Sequence, residues 1–164
     1  MAATVKVYVY NGASNAENSN DRLRFKLADD NTNNSANPIQ IPATGTNYSW
    51  KKTISLYATV APANSISNVK FYSDGSNGLG TGIGIEYKLV GSYTRATDAS
   101  HISDGADVFG LTSASPASLT GSIGDETGKG TLQFVELQMS VASTASPGDL
   151  VGVAETLTFQ YDEA

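Results

Sequence analysis

Cysteine is absent from this sequence, and that excludes a disulfide scaffold, an iron–sulfur cluster, a thiolate zinc centre and a cysteine nucleophile. It leaves the redox compartment open, because a chain without thiols tolerates either condition. Histidine occurs once, as His101, too few for a histidine-held metal. Charged residues are sparse at 16%, and the net charge is −6. A nucleic-acid binder normally presents a basic face, so no nucleic-acid partner is expected. Long apolar runs are also missing: none approaches the ~20 residues that span a bilayer as a helix, and no membrane partner is expected. The opening, Met1-Ala2-Ala3-Thr4-Val5-Lys6-Val7, has no basic region followed by an apolar run. It reads as a strand, so conventional secretion is not expected.

What is abundant is small and polar. The chain holds 19 Ser, 16 Thr, 12 Asn and 16 Gly among 164 residues. Such residues compete for backbone hydrogen bonds inside helices and favour turns and strand surfaces instead. A length of 164 residues suits one domain, large enough to hold a core without a metal or a crosslink. No internal repeat or second boundary interrupts it.

Alternation of apolar and polar residues dominates. Val5, Val7 and Val9 alternate with Lys6, Tyr8 and Tyr10, and Leu23, Phe25 and Leu27 alternate with Arg22, Arg24 and Lys26. Trp50, Ile54, Leu56 and Val60 share one parity against Lys51, Thr53, Ser55 and Thr59. Further runs centre on Val69 and Phe71, on Ile83 to Leu89, on Val135 to Val141, and on Leu157, Phe159 and Tyr161. Turn pairs separate them: Asn11-Gly12, Asp74-Gly75, Asn77-Gly78, Asp104-Gly105 and Pro147-Gly148. Seven strands are clear, and one or two more are expected between Val108 and Ile123. The pattern predicts an all-β fold, an antiparallel β-sandwich of jelly-roll or Ig-like type with about 7–9 strands. Residues 1–164 form the single domain, with an irregular excursion around 94–122. The predicted core holds Val5, Val7, Leu23, Phe25, Ile54, Leu56, Phe71, Leu137, Leu157 and Phe159.

Catalytic chemistry finds no foothold. His101 lies near Asp98, Ser100 and Asp104, but a Ser-His-Asp triad needs a buried orienting carboxylate and a nucleophile in reach. No nucleophile elbow is present, so His101 reads as a solvated loop residue. Asp74-Gly75-Ser76-Asn77-Gly78 and Asp104-Gly105-Ala106-Asp107 are oxygen-rich but lack the spacing of a calcium loop, and read as tight turns. The run Gly78 to Gly84 lacks the Lys-Ser/Thr of a phosphate loop. Gly80, Gly82 and Gly84 share a parity that points to close packing over one face. No pair of carboxylates is singled out for glycoside hydrolysis. Trp50 and eight tyrosines offer rings for a sugar, yet Trp50 sits in an apolar row and reads as core. No catalytic residue, metal or cofactor is expected.

Charge is unevenly spread. Residues 1–70 carry seven Lys/Arg and four Asp/Glu, and residues 71–164 carry three and twelve. This is either scatter on a soluble surface or a pair of complementary patches. On the second reading, Arg22, Arg24 and Lys26 form a cationic row, and Glu155, Asp162 and Glu163 form an acidic end. These six are the candidate partner-binding residues. The row is otherwise a solvated strand face.

Two stretches, NSISNVKFYSDGSNGLGTGIGIEYK at 64–88 and TASPGDLVGVAETLTFQYDEA at 144–164, resemble head decoration, or cement, proteins of tailed bacteriophages. The resemblance implies a virion structural protein made in the host cytoplasm and located on the outer capsid surface. There it would bind the major capsid protein, bridge neighbouring capsomers and act as a homotrimer. The alternative reading is a carbohydrate-binding or adhesive sandwich module.

Overall fold

The computed structural model describes residues 2–12, 16–19, 22–146 and 155–164. The Pro147-Gly148 turn and residues 147–154 of the second resembling stretch lie outside the described residues. In chain order the strands are β1 Thr4–Asn11, β2 Ala16–Ser19, β3 Thr46–Tyr48, β4 Lys52–Val60 and β5 Ile66–Ser73. They continue as β6 Ile83–Val90, β7 Ala106–Asp107, β8 Ala117–Ser118, β9 Phe134–Ala142 and β10 Leu157–Glu163. Among the described residues the single helical piece is a 3-10 turn, Val108–Gly110.

Two antiparallel sheets make the sandwich. The larger runs β2-β1-β4-β9-β6-β7, with β3 also pairing on β9, and the smaller runs β10-β5-β8. Odd residues of β1, β6 and β9 and even residues of β4 meet the smaller sheet. Val9, Ile54, Leu56, Ile85, Val135 and Leu137 pack there against Ile66, Val69 and Phe71. Phe71 is wholly buried, and its ring lies 5.0 Å from Phe159 and 6.3 Å from Tyr87 of the opposite sheet. Burying such a ring stabilises by roughly 1.5–3 kcal/mol, so Phe71 is a principal tie between the layers. Four predicted core residues, Ile54, Leu56, Phe71 and Leu137, are fully buried. The other six are partly buried and packed around that centre.

Six of the seven alternating runs are strands, and the seventh is not. Residues 22–27 are irregular. Asn31 holds them in a loop: its Oδ1 accepts from the Arg24 N–H at 2.7 Å and its amide donates to the Arg22 carbonyl at 2.8 Å. Period two marks a strand only where a neighbouring strand supplies the ladder, and here a side chain takes the backbone bonds instead. Trp50 also departs from expectation. It precedes β4, is only half-buried, and its N–H donates to the Lys26 carbonyl.

Both faces of the larger sheet are covered at its centre. β4 is buried at every position from Lys52 to Leu56, and β9 from Phe134 to Met139. The second cover is the irregular segment between β6 and β7. Gly82 and Gly84 show the close packing expected of them. A Cβ at Gly82 would sit 2.7 Å from the Ala145 nitrogen, and one at Gly84 would sit 3.1 Å from Ser140 Oγ. Gly80 has open space and a φ of +97° instead, so backbone conformation explains it, not packing.

Candidate functional site

β6 and β9 pair with Glu86 opposite Gln138 and Lys88 opposite Glu136. Odd residues of these strands point into the core, so these even ones leave the opposite face. Residues 94–103 lie over that face and border an open cleft of about 300 Å³. Its lining includes Lys51, Lys88, Arg95, Asp98, His101 and Glu136. Three cations and two carboxylates line it, and Asp29, Asp104 and Glu86 stand against Arg95, Lys88 and His101 from just outside, so most of these charges are paired.

The cover is pinned by one buried amide. Gln138, 1% exposed, donates through Nε2 to the carbonyls of Ser49 at 2.7 Å and Ser100 at 2.9 Å. Its Oε1 accepts from the Ile102 N–H at 2.8 Å. Ala96 and Ile102 are buried beside it, so apolar contact and hydrogen bonds fix the same loop.

The charges differ in how fully they are engaged. Glu136 is buried and pairs with Lys51 at 3.4 Å. Lys88 donates to the Ser103 carbonyl at 2.9 Å and stands 3.9 Å from Asp104. Arg95 uses Nε on Asp29 at 2.9 Å. Among the described residues its two terminal nitrogens make no hydrogen bond. Asp98 accepts from the Ser100 N–H, which together with the nearby Lys51 charge holds its carboxyl below the usual range.

His101 turns away from its sequence neighbours. Its Nε2 meets Glu86 at 2.6 Å, and its ring stacks on Tyr48 at 4.4 Å. The side chain is 47% exposed, so the expected loop position holds, with a carboxylate and a ring as specific partners. The two oxygen-rich turns use their side chains on their own backbones. Asp74 accepts from the Ser76 N–H, Asn77 from the Leu79 N–H, and Asp107 from the Phe109 N–H. Among the described residues no three metal-ligating side chains converge.

A second polar centre lies at the inner end of β4. Lys52 shares the parity of Ile54 and Leu56, yet it is 2% exposed. Its ammonium donates to the carbonyls of Ala28 at 2.6 Å and Asp30 at 2.7 Å. Burial pushes its pKa down to about 8. Lys26 is buried alongside, bonded to the Thr32 carbonyl and paired with Asp30. The hydrogen bond from Lys26 holds the Asp30 carboxyl down to about 2.

This corrects the cationic row. Arg22 is exposed and Arg24 half-buried, but Lys26 is 4% exposed and committed inside the loop, so the three do not share a free face. The acidic residues fare differently. Asp162 and Glu163 are exposed on β10, where Asp162 accepts from the Asn68 amide and Glu163 from the Ala3 N–H. Glu155, just before β10, accepts from the Gly78 N–H at 2.6 Å. Lys51, Lys88, Arg95 and Glu136 were not singled out by sequence reasoning. The charged parity of β6 and β9 was the available signal, but nothing local says which loop covers it. No family model, curated protein or solved structure is found to match the chain.

Proposed function

We propose that this protein is a virion structural component, a capsid decoration protein that binds the outer shell and bridges neighbouring capsomers. The resemblance at 64–88 and 144–164 suggests the class. The observation that carries it is β10. Among the described residues β10 pairs only with β5, and Gln160–Glu163 are exposed along it. An edge strand offers unpaired N–H and C=O groups to an incoming strand. Tyr161, 36% exposed, adds a ring to the strip.

Asp162 and Glu163 repel a second copy of the same edge, so the strip suits a basic strand or loop of the major capsid protein. Self-contacts of a homotrimer then fall elsewhere on the molecule. Three linked copies raise effective local concentration, so modest contacts sum to long residence on a repetitive shell. The binding is non-enzymatic. Pelleting with assembled capsids and mass by light scattering test the proposal. Asp162→Lys with Glu163→Lys should lower particle occupancy at least about tenfold at low salt, by removing complementary charge. A strict monomer that never sediments with capsids overturns it.

A further inference from the structure

We infer that the cleft beneath residues 94–103 is a binding site for a single acidic sugar unit, a ring bearing one carboxylate and several hydroxyls. This goes beyond the shell-binding reading and is independent of the β10 strip. At about 300 Å³ the cleft is at the lower bound of small-molecule pockets, which suits one sugar ring and not a chain of them.

The charge pattern selects the ligand class. Arg95 spends only Nε on Asp29, so its terminal nitrogens present a planar fork, the geometry that grips a carboxylate in two hydrogen bonds. Lys88 lies in the same lining with one ammonium proton beyond its Ser103 and Asp104 contacts. A dianionic phosphate suits the site poorly, because Glu136 and Asp98 share the lining and repel a second negative charge. The same carboxylates accept hydrogen bonds from hydroxyls, as a polyol requires. Lys51, held to Glu136 at 3.4 Å, has donors left for a ring or hydroxyl oxygen.

The site is also preformed. Gln138 fixes Ser100 and Ile102, Ala96 and Ile102 are buried, and Asp29 ties Arg95 to the Gly12 N–H at the end of β1. A ligand therefore need not order the loop, which removes a main cost of binding.

Calorimetric titration of the intact protein with glucuronate, N-acetylneuraminate, glucose and acetate tests this. Saturable binding of an acidic sugar is expected, with glucose and acetate each at least about tenfold weaker, because each lacks one half of the recognised chemistry. Arg95→Gln and Lys88→Gln should each weaken the acidic sugar about tenfold or more. The Arg95 side chain is about half exposed and that of Lys88 about a third, and a cooperative melt with the native β-sheet circular dichroism in each variant shows that the fold persists. Acetate binding as tightly as the acidic sugars, no binding of either acidic sugar, or an Arg95→Gln variant with wild-type affinity overturns the assignment.

Discussion

The Gln138 side chain and the Ile102 backbone are joined by a 2.8 Å hydrogen bond that crosses from the middle of β9 to the loop above it. The same amide serves Ser49 and Ser100, so one residue couples the sheet, the entry to β4 and the cover. Gln138→Leu should strand the buried Ser49 carbonyl and Ile102 N–H at about 1–3 kcal/mol each, with a smaller cost at the part-buried Ser100 carbonyl. The expected loss is on the order of 3 kcal/mol by urea denaturation, with faster proteolytic nicking between 94 and 103. A loss below ~1 kcal/mol would show that the loop stands by its apolar contacts alone.

Lys52 gives a pH dependence of definite sign. Its folded pKa of about 8 lies below the ordinary 10.5, so the unfolded chain binds more protons between those values. Stability therefore rises as pH climbs from 8 towards 10.5. At about 1.4 kcal/mol per unit, the gain is on the order of 3 kcal/mol over that window. Lys129 is shifted in the same direction by burial. Tyr93, pushed up to about 12 by burial, acts oppositely, and its contribution is lost only above pH 10. Denaturation of the wild type and Lys52→Met at pH 8 and pH 10 isolates the lysine. The variant should lose most of the rise, and an equal rise in both proteins would refute the assignment.

Phe71 and Phe159 touch, yet they are unequal. Phe71→Ala should cost about 3–5 kcal/mol, the range for a fully enclosed ring. Phe159 is only half-buried on the edge strand, and its truncation should cost roughly half as much. Equal losses would place β10 deeper in the core than its exposure indicates.

Gly121 and Gly130 each lie against the opposite segment where residues 120–123 approach residues 130–133. At Gly121, φ is +92° and a Cβ would lie 2.2 Å from the Thr131 carbonyl oxygen. At Gly130, φ is +58° and the Ser122 oxygen would be 2.3 Å away. Gly121→Ala combines a disfavoured backbone with a backbone clash, and about 3 kcal/mol or more should be lost. Gly80→Ala, strained but unobstructed, should cost less, near 1 kcal/mol. Thermal melts of the pair separate the two causes.

Strand parity made the sandwich legible because six runs have a true ladder partner and an apolar face against the other sheet. It failed at 22–27, where Asn31, nine residues beyond Arg22, captures the backbone and Lys26 turns inward. It failed again at Lys52, whose parity is that of the core and whose charge is held by two carbonyls from that same loop. The short strands β2, β3 and β7 have only two to four residues and no readable alternation. The cleft was illegible for a different reason. Its lining comes from Glu136 of β9, Lys88 of β6, Lys51 just before β4 and the loop at 94–103, and only tertiary packing brings these segments together. His101 is marked in the sequence as its single histidine, whereas its partners Glu86 and Tyr48 are distant in sequence and carry no local mark.

Because β4 and β9 are covered on both sides, water has no short route to their shared hydrogen bonds. The Ile54–Val135 register lies within that seam, one step inward from the Glu136 position that borders the cleft. Local fraying cannot release those amides, so their protons are traded for deuterium only when the whole molecule opens. The slowest-exchanging amides of this seam thus form a built-in gauge of global stability, one that needs no denaturant and is read directly in the native protein.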